Sequence, residues 1–256
     1  MAIAAITTLN TRRYCLLFLP ALLLSRLATG AVLPVPAAYP TRPIRLVVPY
    51  SAGGTVDIVA RIVATRMGVE LGQSVVVENR GGAGGSIAME MVAKAANDGY
   101  TLGFGASGPL AIQPALQRRV TLRALQDFAP ISLVATTPQI LAVHPSVPVA
   151  SVRELIDYAR AHRGTLNFAS PGVGSSAHMA GELFRSLARI DWVHVPYKGN
   201  QEAMQDVLEG RVQVLFSPAA TLRPYVESGR LRALAVAGAQ RVASLADLPT
   251  MAEAGL

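Results

Sequence analysis

Two groups of residues have the types and spacing to do chemistry. The first is Ser51-Ala52-Gly53-Gly54, set between the apolar run Ile44–Val48 and a helical pattern opening at Thr55. Glycines let backbone N–H groups come close to a ligand. A helix N-terminus adds a positive dipole end, so strand, glycine turn and helix together make a cradle for an anion. No Gly-Lys-Ser/Thr follows and the GxGxxG spacing is absent, so this is neither a Walker A loop nor a dinucleotide fingerprint. The second group is Gly174-Ser175-Ser176-Ala177-His178. It approaches a nucleophile elbow but has His where the second glycine belongs, and Gly105-Ala106-Ser107-Gly108-Pro109 fails the same pattern. The commoner use of a serine at such a place is to cap a helix, so no catalytic role is expected for Ser175, Ser176 or His178. The four histidines, His144, His162, His178 and His194, show no HExxH spacing and no acidic cluster, so neither a metal nor a cofactor is expected.

These residues need elements to hold them. Val56, Val59, Ala60, Val63 and Met67 share one face of a helix, with Thr55 as N-cap. Asp57, in the first turn, is expected to pair with Arg61 at i,i+4; its alternative role is to receive a ligand amino group. Ser74–Glu78 reads as a strand, 80–86 as a flexible glycine loop, and Ile87–Ala95 as a helix with a Glu90–Lys94 pair. A strand at Tyr100–Phe104 follows the Asp98-Gly99 turn. The apolar runs Ile131–Ala135 and Ile140–Val143 flank Thr136-Thr137-Pro138, which reads as a hinge. Ser151-Val152-Arg153-Glu154 is a capping box opening a helix. Beyond it come strands at Leu166–Ala169, Trp192–Val195, Val212–Phe216 and Leu231–Val236. Helices run to about Leu187 and Leu208. This alternation predicts a parallel α/β architecture. The glycine and serine loops follow strand C-termini, where such sheets bind ligands.

The first 38 residues read as an export signal: Arg12-Arg13, an apolar core over Tyr14–Leu24, then small residues around Ala28-Thr29-Gly30 and Pro36-Ala37-Ala38. A membrane anchor is the alternative, but the run is short and Arg26 interrupts it. The only cysteine, Cys15, lies in this segment, so the mature chain is expected to have no thiol. Removing residues 1–38 takes three arginines and no acids, leaving 20 basic against 16 acidic residues and lowering the net charge from +7 to +4. The arginines are scattered singly or in pairs such as Arg118-Arg119. Without a basic tract interleaved with aromatics, nucleic-acid binding is not expected.

Read in order, Tyr39–Tyr50, Ser51–Asp57 with Ala60-Arg61, Val77–Gly85, Asp98–Leu102, Ser170–His178, Val195–Gly199, Gly229–Val236 and Leu248–Leu256 resemble the Bug family. These are TctC-like extracytoplasmic solute receptors of tripartite tricarboxylate transporters. The resemblance covers residues 39–256. It implies a type II periplasmic-binding-protein fold, two lobes closing on a small carboxylate: lobe one over 39–138, lobe two over 139–236, and 237–256 returning to lobe one. Family members continue past the 249–255 motif, so the C-terminal part of lobe one is expected to be missing here. The family also places an acid after the strand matching Val212–Phe216, where this chain has Ser217-Pro218.

The expected ligand contacts are Ser51, Ala52, Gly53, Gly54, Asp57, Ser107 and Gly108 from lobe one. Lobe two is expected to supply Ser170, Gly172, Gly174, Ser175, Ser176, Tyr197, Lys198 and Gly199. Such loops offer N–H groups and hydroxyls to carboxylate oxygens, whether of a dicarboxylate, tricarboxylate, acidic amino acid or aromatic carboxylate. The expected setting is the periplasm, as a monomer that hands its ligand to membrane permease subunits. A sensor presenting its ligand to a signalling partner is the alternative, and a serine hydrolase a weaker one. Trp192, Met89 and Met91 are expected to be packing.

Overall fold

Short apolar strands alternate with amphipathic helices, and in the computed structural model, which describes residues 39–116 and 121–256, they build two sheets. The expected leader and Arg118-Arg119 fall outside the described residues. Residues 42–256 form one compact unit. The first sheet has the order β2-β1-β3, with β1 at Ile44–Val48, β2 at Val75–Asn79 and β3 at Thr101–Gly103, all parallel. Alternation along β1 serves both faces. Leu46 and Val48 pack on Ala60 and Ala64 of α1 (Thr55–Leu71), while Val47 packs with Ala88 and Met89 of α2 (Ser86–Ala93). Helix α1 stops at Gly72, whose left-handed φ of 64° gives the turn back to β2. A π-helical turn, Gly108–Ile112, and two single-turn helices, α3 (Gln113–Leu116) and α4 (Ala124–Asp127), follow β3.

The second sheet has the order β6-β5-β7-β4-β8, from β4 (Gln139–Val143), β5 (Asn167–Ser170), β6 (Val193–Pro196), β7 (Val214–Pro218) and β8 (Arg232–Ala237). One face packs Leu141, Phe168 and Phe216 against α5 (Val152–Ala161) and α6 (Ser176–Ala188), through Leu155 and Phe184, with Trp192 just before β6 in the same cluster. The other packs Ile140, Leu215 and Val236 against α7 (Asn200–Leu208) and α8 (Ala219–Glu227), through Met204, Val207 and Leu222. Trp192 and Met89 are core residues, both nearly inaccessible. Residues 249–251 lie along β8, and Met251, Ala254 and Leu256 pack on the Phe168 side of this sheet.

Two sequence expectations need correcting, the parallel second sheet and Thr55 as N-cap. The second sheet is mixed, not parallel: β4 runs antiparallel to β7 and β8 because the chain enters this sheet at the end where β5, β6 and β7 leave it. The run Ile131–Ala135 has no regular structure, and Ile131 and Leu133 are about four-fifths exposed. Thr55 is not the N-cap of α1; Gly54 takes that position with extended backbone, and Thr55 opens the helix.

Candidate functional site

Four loops, each leading into a helix, meet at one end of the two sheets. Residues 50–54 precede α1, 80–85 precede α2, 171–175 precede α6 and 197–199 precede α7. Glycines make the meeting possible. A Cβ on Gly199 would lie 2.7 Å from the Ser51 side chain, and one on Gly81 would lie 2.8 Å from the Lys198 carbonyl. Gly84 abuts the Val173 carbonyl and the Gln113 amide so closely that a side chain there would overlap them. Between the loops lies a cleft of about 730 Å³ lined by Gly82, Ala83, Gly84 and Gln113 on one side and Gly172, Val173, Pro196, Tyr197, Lys198 and Glu202 on the other. Side chains also link the two sides in and beside it. The Gln113 amide donates to the Val173 carbonyl, the Thr55 and Thr221 hydroxyls touch, and the Ser51 hydroxyl donates to Glu202 at 3.1 Å.

On the first-sheet side, Asp57 is buried beneath the 50–54 loop and shapes it. Its carboxylate accepts the Gly53 N–H at 2.8 Å, the Asn79 amide at 2.9 Å and the Arg61 guanidinium at 3.0 Å. Burial alone would raise its pKa, but the hydrogen bonds from Arg61, Gly53 and Asn79 outweigh it and hold the carboxyl below its ordinary range. Asp57 therefore stays ionised as part of the scaffold, paired with Arg61 as the i,i+4 spacing indicated. The Gly53 amide is thereby committed inside the loop. Ala52 and Gly53 are exposed, and Ser107 is exposed ahead of Gly108, which is buried against the Tyr50 hydroxyl and the Gly174 carbonyl. Across residues 82–85 every φ is positive, 118°, 48°, 61° and 98°, and Ala83 takes this conformation without being glycine. Left-handed backbone in a non-glycine is held only where the surroundings enforce it, and it gathers at ligand sites.

On the second-sheet side, hydroxyls and imidazoles fix the 170–176 loop. Ser170, fully buried, accepts the Gly172 N–H at 3.1 Å and bonds His194 Nε2 at 2.6 Å. His178 Nδ1 accepts the Gly174 N–H at 3.1 Å, and the two imidazole rings lie 4.1 Å apart. Burial lowers both histidine pKa values, that of His194 to about 4, so both rings are neutral at neutral pH. Ser175 caps α6, accepting the His178 backbone N–H at 3.2 Å, and Ser176 opens the helix, 3.4 Å from the Gln139 amide. The two serine hydroxyls thus bond the α6 backbone and the Gln139 side chain. Tyr197 donates its hydroxyl to Asp206 at 2.6 Å, Lys198 donates its N–H to Glu202 at 2.9 Å, and Gly199 is the N-cap of α7.

Gly172, Tyr197 and Lys198 from the sequence-derived set line the cleft directly. Ser51, Gly54, Gly108, Gly174 and Gly199 lie in the packed loops around it, while Asp57, Ser170 and Ser175 support those loops from beneath. Gly82–Gly84, Gln113, Val173, Pro196 and Glu202 were missed. Gly82–Gly84 had a signal, because strand, glycine loop and helix recur there as at 44–67. Gln113 and Glu202 had none, since their cross-cleft partners are 60 and 151 residues away in sequence. A second hollow of about 710 Å³, between α1 and β2, is lined by Ala64, Val69, Val75 and neighbours and lies away from these loops. Among the described residues no group of three or more His, Cys, Asp or Glu is placed to hold a metal.

Residues 59–256 match the model of a family described as the tripartite tricarboxylate transporter family receptor. The chain is similar to a Pseudomonas sp. protein named as the UPF0065 protein in the tcbD-tcbE intergenic region, 39% identical over 217 residues, covering 85% of this chain and 64% of that one. It is similar to Protein BugT of Bordetella pertussis, 39% identical over 228 residues, covering 88% and 70%. The chain thus spans 64–70% of the length of these curated relatives. Two solved structures superpose closely. R. palustris Rpa4515 with adipate gives a TM-score of 0.82 at 40% identity, covering 85% of this chain and 73% of that one. The periplasmic binding protein BugD gives 0.79 at 35%, covering 85% and 72%.

Proposed function

The chain belongs to the tripartite tricarboxylate transporter receptor family and has its two-lobed periplasmic-binding-protein fold, and from that premise we propose that it is a receptor capturing a small carboxylate between its lobes. The observation that carries this reading is one cleft lined by three helix-opening loops, 80–85, 171–175 and 197–199, with the 50–54 loop packed beside it. Each helix start offers N–H donors and a positive dipole end. A helix terminus contributes about 0.3–1 kcal/mol to an anion, and each hydrogen bond to a charged group about 1.5–3 kcal/mol. Several such contacts give micromolar binding, about −8 kcal/mol, after association costs.

The protein binds without turnover, acts outside the cytoplasm, and passes its ligand to permease subunits in the membrane. The Ser175 hydroxyl, committed to capping α6, and the solute-binding character of the family support binding rather than chemistry. The adipate in the similar R. palustris structure supports a dicarboxylate-sized ligand. A thermal-shift panel of dicarboxylates, tricarboxylates, acidic amino acids and aromatic carboxylates tests the proposal, because a ligand that binds only the folded state raises the melting midpoint. At least one carboxylate should raise it in proportion to the logarithm of its concentration. A panel in which no carboxylate moves the midpoint contradicts the reading.

A further inference from the structure

Among the described residues lining the cleft, only Lys198 and Glu202 are charged. Glu202 lies in the first turn of α7, three residues after the N-cap Gly199. One of its oxygens accepts the Lys198 N–H at 2.9 Å, closing the start of the helix, and the other accepts the Ser51 hydroxyl from the opposite lobe at 3.1 Å. A serine hydroxyl has a single proton to donate, and here Glu202 already holds it. A carboxylate arriving beside Ser51 would find that donor taken and a like charge next to it, an arrangement that disfavours both ionised groups. A group that donates a hydrogen bond would instead meet an acceptor. A carboxylate has about four lone-pair sites, and the two hydrogen bonds above leave capacity for more.

We infer that Glu202 is a specificity-determining residue. It makes the Ser51 end of the cleft an acceptor subsite that favours carboxylates bearing an ammonium or hydroxyl group over those presenting a methylene or second carboxylate there. The ligand's anionic end is then left to the glycine loop at 82–84 and the backbone of Val173, because Ser170 and His178 already hold the Gly172 and Gly174 N–H groups. This rests on the receptor reading above and narrows its ligand class.

Succinate, L-malate and L-aspartate share one four-carbon dicarboxylate skeleton and differ at C2 in a hydrogen, a hydroxyl and an ammonium. Calorimetric titration of the full chain with the three should rank aspartate tightest and succinate weakest, spanning about tenfold or more, the worth of one charge-assisted hydrogen bond. Glu202→Gln keeps the shape and an acceptor oxygen for the Lys198 N–H but removes the charge. It should weaken aspartate, strengthen succinate and leave the two within about threefold, with its melting midpoint near that of the wild type. Ser51→Ala, which removes the cross-lobe bond but leaves the charge, should keep the wild-type ranking. An unchanged ranking in Glu202→Gln, or a ranking lost equally in Ser51→Ala, overturns the inference and leaves the receptor reading standing. A wild type that binds none of the three overturns the inference, and the receptor reading falls with it only if no member of the wider carboxylate panel binds.

Discussion

His178 and His194 sit beneath the 170–176 loop, and their protonation state decides whether that loop keeps its shape. His178 Nδ1 can accept the Gly174 N–H only while it carries no proton. Both folded-state pKa values are depressed by burial, that of His194 to about 4, against about 6.5 when unfolded. Between those limits the unfolded chain binds more protons than the folded one, so stability is complete above about pH 6.5 and is lost as pH falls toward 4. Glu182 opposes this slightly by raising both pKa values, and the His178–His194 contact reinforces it. The melting midpoint should therefore fall from pH 7 to pH 4.5, and His194→Gln should make that fall shallower. An identical pH profile in the variant would show that these rings do not titrate on unfolding. At this scale the sequence revealed the local pairs. Asp57–Arg61 and the Ser151–Glu154 capping box depend on helical spacing, and both formed. It could not reveal Ser51–Glu202 or Gln113–Val173, which exist only because two lobes face each other.

Packing between elements outweighs intrinsic propensity at Gly181, in the middle of α6. Alanine is favoured over glycine in a helix interior by about 1 kcal/mol, but a Cβ at 181 would collide with the ring of Phe168 on β5. Overpacking a well-filled core costs about 1–3 kcal/mol, so Gly181→Ala should lower the urea midpoint; a stabilised variant would mean that α6 can lift off the sheet freely. Gly199, between β6 and α7, separates closure from strain. Its φ of −171° suits any residue, yet an added Cβ would lie 2.7 Å from the Ser51 side chain. Gly199→Ala should bind carboxylates about tenfold or more weakly, because the lobes stop short of contact and lose at least one hydrogen bond to charge. Its melting midpoint should stay near wild type, and unchanged affinity would place closure elsewhere. Strand and helix positions were legible because apolar periodicity sets them. Strand direction was not, since the run Ile140–Val143 reads the same in either sense. The helix Ala219–Glu227 was hidden by Pro224 in its interior.

For the whole molecule, the claim is that carboxylate oxygens are held by backbone N–H groups contributed from both lobes. The family resemblance made the two-lobed fold legible along residues 39–256, through motifs that fall at the glycine loops. The order of the two sheets and the closed cleft between them depend on contacts far apart in the chain, which no local pattern encodes. The most direct measurement is a titration of the 15N-labelled chain with L-malate, following backbone amide resonances. Hydrogen bonds to a carboxylate should move the amides of 82–84 and of Val173 downfield together, along one saturation curve, since the Gly172, Gly174 and Gly85 amides are already bonded within their loops. The hollow between α1 and β2, around residues 68–75, should stay unmoved. Saturable shifts confined to one lobe, or centred on residues 68–75, would contradict the account.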